Sequence, residues 1–152
     1  MDLGSAAYRH GVVRLTWLKC VARVRGHAVA MKSHSASYPD RARDIASALA
    51  PLRRNQPGLM HGFRQLSESA LDGGALSAKT KELTALALGV AAHCDGCIAF
   101  HAKALVALGA SRAEVEETLA VAVYMGGGPS LMYTADALTA FDQFQQLAAE
   151  AA

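Results

Sequence analysis

The sequence predicts an all-α protein of oligomeric habit, and three observations carry that prediction. Alanine, the strongest helix former, supplies 32 of the 152 residues. From Tyr38 onward apolar residues recur at spacings of three and four between sharp stop signals, the period of a helix with one buried face. No segment alternates apolar and polar residues as a half-buried strand does. Small side chains bury little area each, so an alanine-rich core is thin and packing between subunits is expected.

Taken in order, Pro39 opens a helix over Asp40 to Ala50, with Ile45 and Leu49 four apart, and Pro51 is expected to end it. Pro57 starts the next, where Leu59, Phe63, Leu66 and Ala70 form a stripe that stops at Leu71-Asp72-Gly73-Gly74. Ser77 caps a helix from Ala78 to about His93, with Leu83, Leu86, Ala87 and Val90 on its apolar side. A further helix runs from about Cys94 to Leu108, and Gly109 is placed as its stop. Ser111-Arg112-Ala113-Glu114 reads as a capping box for a helix reaching Met125. Gly126-Gly127-Gly128-Pro129 breaks that helix, and a last one carries Leu131 to about Leu147. Beyond the break, Leu131, Met132, Tyr133 and Phe141 are candidates for a subunit interface.

Composition narrows the function classes. A chain that is 52% hydrophobic and 18% charged is not disordered, and a net charge of +2 without a dense Lys/Arg block argues against nucleic acid. The most apolar stretch, Leu83 to Phe100, contains His93, Cys94 and Asp95 and sits at the lower length limit for a bilayer span, so no membrane partner is expected. Residues 1–30 carry Arg9, Arg14, Lys19, Arg23 and Arg25 against Asp2 alone. They read as a disordered basic extension, with Met31 as a natural start and residues 31–152 as one helical domain. Cys20 goes with that extension as an isolated thiol.

The remaining cysteines form Cys94-Asp95-Gly96-Cys97. Three cysteines in such a chain are no secreted disulfide framework, and the expected location is the reducing cytoplasm. On a helix, Cys94, Cys97 and His101 share one stripe. A thiolate is the nucleophile, and an imidazole one turn from Cys97 can take its proton. Cys94, at the helix start, is favoured as thiolate by free backbone N–H groups there, so the residues point both ways on which sulfur attacks; the shared turn with His101 favours Cys97, with Cys94 resolving. A sulfenic acid on one sulfur condenses with the other thiol to a disulfide. Glu82 stands twelve residues before Cys94; if the two helices pack antiparallel, it lies near His101 and can orient the imidazole.

Glu82, Cys94-Asp95-Gly96-Cys97 and His101 together resemble the Glu-x11-Cys-x2-Cys-x3-His signature of the alkylhydroperoxidase AhpD-like branch of the carboxymuconolactone decarboxylase family. Leu76 to Glu82, Cys97-Ile-Ala-Phe-His101 and Val123-Tyr-Met-Gly-Gly-Gly-Pro129 agree with it, and the likeness spans roughly Ala48 to Phe144. The resemblance implies an all-α homo-oligomer, a trimer or hexamer, with thiol peroxidase activity on hydrogen peroxide or organic hydroperoxides. By position it makes Cys94 and Cys97 the redox pair, His101 the proton relay and Glu82 the carboxylate behind it. It implies no cofactor, but a dithiol electron donor that reopens the disulfide. Founding peroxidases can carry a histidine between the cysteines; Gly96 stands there here, which implies a shorter relay.

Three other readings remain open on the residues. The wider family's lactone decarboxylation has no use for a dithiol. Zinc accepts Cys94, Cys97 and His101 with His93, although three ligands along one helix stripe suit a tetrahedron poorly. A redox-sensing oligomer would oxidise without turnover. His93 reads as a helix-end residue, His61, Arg53 and Arg54 as solvated, and Tyr124 and Tyr133 as flanking the glycine turn.

Overall fold

The computed structural model describes residues 37–151. The extension expected over 1–30, with Cys20, and the start expected at Met31 lie outside those residues. Six helices follow one another, with no strand among the described residues: α1 Tyr38–Ala48, α2 Ala50–Asn55, α3 Pro57–Leu71, α4 Ala78–Ala91, α5 Asp95–Ala107 and α6 Arg112–Glu150.

Local chemistry sets most of the boundaries. Ser37, Ser77 and Ser111 are N-caps whose hydroxyls accept the N–H groups of Asp40, Thr80 and Glu114. At Ser111 the capping box closes in both directions: Glu114 N–H donates to Ser111 Oγ at 3.2 Å, and Ser111 N–H donates to Glu114 Oε2 at 2.7 Å. Pro51 behaves differently from the sequence expectation. The first helix already ends at Ala48, and Pro51 occupies the first turn of α2, where its missing N–H has no partner to lose. The proline expected to stop one helix instead starts the next.

Inside α6, Gly127 adopts φ 66° and ψ −150°, a region essentially reserved for glycine, so the chain bends there as expected and Pro129 follows inside the second arm. Gly126 is needed for space, because a side chain on it would collide with the Ser130 hydroxyl.

The core lies where α4, α5 and both arms of α6 meet, with α1 laid across α5 and α6. Leu86 and Val90 of α4, Ile98 and Leu105 of α5, and Val115, Leu119 and Phe141 of α6 are fully buried. Phe141 is thus core rather than interface, and Tyr133 is half-buried against the core, whereas Leu131 and Met132 face solvent. The third helix is the other surprise. Its stripe forms as a helix, yet α3 buries no residue and, among the described residues, packs on α2 and α4 alone; Leu59, Phe63 and Leu66 are 60%, 65% and 66% exposed. Amphipathic spacing thus formed the helix without deciding what covers it. No helix among the described residues is long and apolar enough to cross a membrane.

The two helix starts at α4 and α6 are joined by Lys79 Nζ, 2.7 Å from Glu114 Oε1. Lys79 first, and the Ser111 N–H second, hold the Glu114 carboxyl down to about 2. A folded-state value below the unfolded one means stabilisation that is present above the usual carboxylate range and lost as pH falls from about 4.5 towards about 2. The wild type is therefore expected to lose more of its urea midpoint between pH 6 and pH 2.5 than Glu114→Gln, and high salt should shrink the difference because the pair is at the surface. Equal acid losses in the two proteins would contradict this.

Candidate active site

The site is built on the junction of α4 and α5. Leaving α4, His93 N–H donates to Val90 O at 3.1 Å and Cys94 N–H to Gly89 O at 2.9 Å, the pair of bonds that closes a Schellman motif. The end of α5 repeats the arrangement: Gly109 N–H to Val106 O at 3.1 Å and Ala110 N–H to Leu105 O at 2.9 Å. Both motifs need a left-handed residue. Gly109 supplies it with φ 67°, whereas the α4 end uses His93 with φ 54°. A side chain in that region costs roughly 1–2 kcal/mol. The His93 ring stacks on Tyr133 of α6, with centroids 4.6 Å apart and planes 16° from parallel. Such a stack contributes about 0.5–1.5 kcal/mol, enough to offset most of the strain. The expected helix-end role of His93 is what the structure shows.

The chain then enters α5 with Cys94 as N-cap, its Sγ accepting the Cys97 N–H at 3.2 Å. Cys94 and Cys97 are joined as a disulfide, their Cα atoms 5.3 Å apart, inside the range that such a bond spans. Cys97 faces α4 at Gly89, where a Cβ would come within 3.0 Å of Cys97 Cβ. Glycine lets the two helices approach this closely without either having to shift.

That approach brings Glu82 to His101. The carboxylate, with the residue 8% exposed, accepts from His101 Nδ1 at 2.7 Å. A buried carboxylate without a partner is strongly disfavoured, so the bond accounts for Glu82 in a stretch of Thr, Ala and Leu. It also fixes the tautomer: with Nδ1–H given to the carboxylate, Nε2 is the nitrogen free to exchange a proton. The antiparallel packing expected of these helices is observed, and all four expected residues sit on this one helix pair.

Sequence reasoning missed what α1 contributes. Arg41 pairs with Asp95, inside the Cys-x-x-Cys turn, and its guanidinium lies 5.7 Å from the Tyr38 ring centroid. Ile45 Cδ1 packs on Gly96, 3.2 Å from where a Cβ would stand. Gly89 was missed as well; its one visible signal is a lone glycine in the otherwise Ala/Leu/Val half of α4 from Ala85 to Ala91. The zinc set does not assemble: among the described residues no three His, Cys, Asp or Glu side chains gather closely enough to hold a metal ion. An open groove of about 620 Å³ between α1, α5 and the end of α6, lined by Arg43, Phe100, Lys103 and Phe144 among others, includes none of the four site residues.

An all-α hairpin that sets a Cys-x-x-Cys pair beside a Glu–His couple is the class of site defined here, and comparison with known proteins gives it a family. The chain belongs to the carboxymuconolactone decarboxylase family, which it matches over residues 57–140, from the start of α3 into the second arm of α6. It is similar to a carboxymuconolactone decarboxylase family protein from Legionella pneumophila of known crystal structure, with 54% identity and a TM-score of 0.70, covering 71% of this chain and 96% of that one. A crystal structure from Thermotoga maritima matches at 26% identity and a TM-score of 0.62, over 74% of this chain and 96% of its own. An uncharacterized protein of Cupriavidus necator is 38% identical over 99 residues, 65% of this chain and 88% of that relative.

Gly89→Ala tests the helix contact. Alanine favours a helix by about 0.8–1.0 kcal/mol over glycine, but overpacking a core contact costs about 1–3 kcal/mol. A net loss of stability in urea unfolding is expected; a gain would mean that α4 and α5 can separate freely here.

Proposed function

We propose that this protein is a thiol-dependent peroxidase that reduces hydrogen peroxide or organic hydroperoxides through the Cys94–Cys97 dithiol, with His101 and Glu82 as its proton relay. The observation that carries the reading is the Glu82–His101 bond on the same helix pair as two cysteines within disulfide reach. The Cys97 thiolate attacks the terminal peroxide oxygen, the O–O bond breaks, and the departing alkoxide takes a proton to become an alcohol. Cys97 is left as a sulfenic acid. Cys94 attacks that sulfur, the disulfide forms and water leaves. A donor dithiol then reopens the disulfide by exchange and is itself oxidised. His101, four residues after Cys97 and held through Nδ1, is suited to receive the Cys97 proton on Nε2 and return it to the leaving oxygen. Glu82 holds the ring and balances the imidazolium.

The first test is the intact mass of the reduced protein after one equivalent of an organic hydroperoxide. Wild type is expected to lose two hydrogens, mapped to Cys94–Cys97, while Cys97→Ser does not. Glu82→Gln and His101→Ala should slow the oxidation by about a hundredfold, the lower end for general acid–base catalysis. Thiols that stay reduced, or rates indifferent to Glu82 and His101, would overturn the reading and leave the decarboxylase alternative to be assayed.

The same reading makes the protein a homo-oligomer. The α3 stripe of Leu59, Phe63 and Leu66, together with Tyr124, Met125 and Met132, which are 85%, 76% and 63% exposed, offers large apolar side chains for a second copy to cover. Light scattering should give a mass of several chains, and Phe63→Lys with Leu66→Lys should lower it; a monomeric wild type would contradict the proposal.

A further inference from the structure

The Cys-x-x-Cys turn contains a charge that opposes its own chemistry. Asp95 lies between the cysteines, in the first turn of α5. There the free N–H groups and helix dipole favour a carboxylate, but they favour a Cys94 thiolate for the same reason. A carboxylate this close disfavours the thiolate, raises the thiol's pKa and biases the pair towards the disulfide.

The structure places a cation on Asp95 from outside the turn. Arg41 comes from α1, more than fifty residues earlier, and the two side chains are only 20% and 33% exposed. Ion pairs on open surface are worth little; here partial burial reduces solvent screening. The guanidinium is held in place. It lies near the Tyr38 ring, Tyr38 N–H donates to Gln143 Oε1 of α6 at 2.8 Å, and one turn on from Arg41 Ile45 packs on Gly96. Both charges are felt locally: burial first, then Asp136 and Asp95, push the Tyr38 hydroxyl up to about 12, while Arg41 acts in the opposite direction.

We infer that Arg41 is a positioning residue for the dithiol, one that neutralises Asp95 and thereby sets the acidity and reduction potential of the Cys94–Cys97 pair. This rests on the dithiol reading proposed above, but concerns an element outside the Glu-x11-Cys-x2-Cys-x3-His pattern. The titratable and charged groups grouped around the turn are Arg41 and Tyr38 from α1, Glu82 from α4, His93 and Asp95 in the turn, His101 from α5, and Tyr133 and Asp136 from α6. Among them Arg41 is paired directly with the carboxylate between the sulfurs. A merely structural clamp between α1 and α5 would change stability and leave the thiols alone; a charge device moves the thiols in opposite directions when its two halves are removed separately.

The experiment titrates thiolate absorbance near 240 nm in the reduced full-length chain, with Asp95→Asn, Arg41→Gln and the double variant beside the wild type. Asp95→Asn is expected to lower the pKa of the more acidic thiol by about one unit and Arg41→Gln to raise it by about one unit, the scale of a close charge. The double variant should return close to the wild-type value. Equilibration with dithiothreitol at a pH above these values should find reduced Asp95→Asn favoured about tenfold more than wild type, about 30 mV by the two-electron constant. Asp95→Asn is isosteric and isolates the carboxylate's share; Arg41→Lys, which keeps the charge, should stay close to the wild-type value, and a shift as large as that of Arg41→Gln would mean that loosening of α1 and not charge moves the thiols. Thiol titrations unchanged in a pair that still oxidises and reduces reversibly would overturn the inference and leave the redox reading standing. A wild-type pair that does not interconvert with dithiothreitol would overturn both.

Discussion

The contact between Gly89 of α4 and Cys97 of α5 is the constraint on which the rest of the site depends. The would-be Cβ at Gly89 falls 3.0 Å from Cys97 Cβ, so the two backbones lie as close as side chains permit. At that separation a carboxylate near the start of α4 meets an imidazole halfway along α5, and Glu82 and His101 bond at 2.7 Å with the carboxylate largely removed from water. Wider spacing would leave Glu82 either solvated or buried without a partner. The second outcome is disfavoured by several kcal/mol, on the order of magnitude known for unpaired buried charge. Close packing and the Glu82–His101 bond are therefore one feature.

The junction that orients the two helices breaks a local rule at one place only. Twin Schellman motifs end α4 and α5, and glycine fills the left-handed position in the second but His93 in the first. Its stack on Tyr133 ties the residue before Cys94 to the second arm of α6. The bend at Gly127 lets that arm turn back along the core and carry Tyr133 to the junction. The glycine-rich break and the Cys-x-x-Cys turn, separate features along the chain, are thus mechanically connected through one aromatic pair.

Covered and uncovered surfaces divide the molecule in two. Around α4, α5 and α6 the apolar faces meet and bury Leu86, Ile98, Leu105, Leu119 and Phe141 completely. Around α3 they meet nothing within the described chain, although the apolar spacing of Leu59, Phe63 and Leu66 is as regular as that of α4. The position of α1 lies between these cases: it packs few apolar residues, yet its Arg41 and Ile45 reach the turn between the cysteines.

The sequence by itself determined every helix but α2, the caps at Ser77 and Ser111, and four residues that the structure brings onto one helix pair. These depend on interactions within a turn or two: serine hydroxyls on nearby N–H groups, glycine in the left-handed region, and spacings of three and four that place Cys97 and His101 on one face. It also implied the Glu82–His101 pairing, once two consecutive helices were taken as antiparallel. Proline was legible only in part, because the ring that ends one helix is equally suited to begin another, as at Pro51. Tertiary structure alone decided that Phe141 is core, that the α3 stripe faces out, that Gly89 sets the helix distance, and that Arg41 answers Asp95 from 54 residues away. Those outcomes depend on which surfaces meet in space, and residue spacing along one chain carries no information about a partner so distant in sequence.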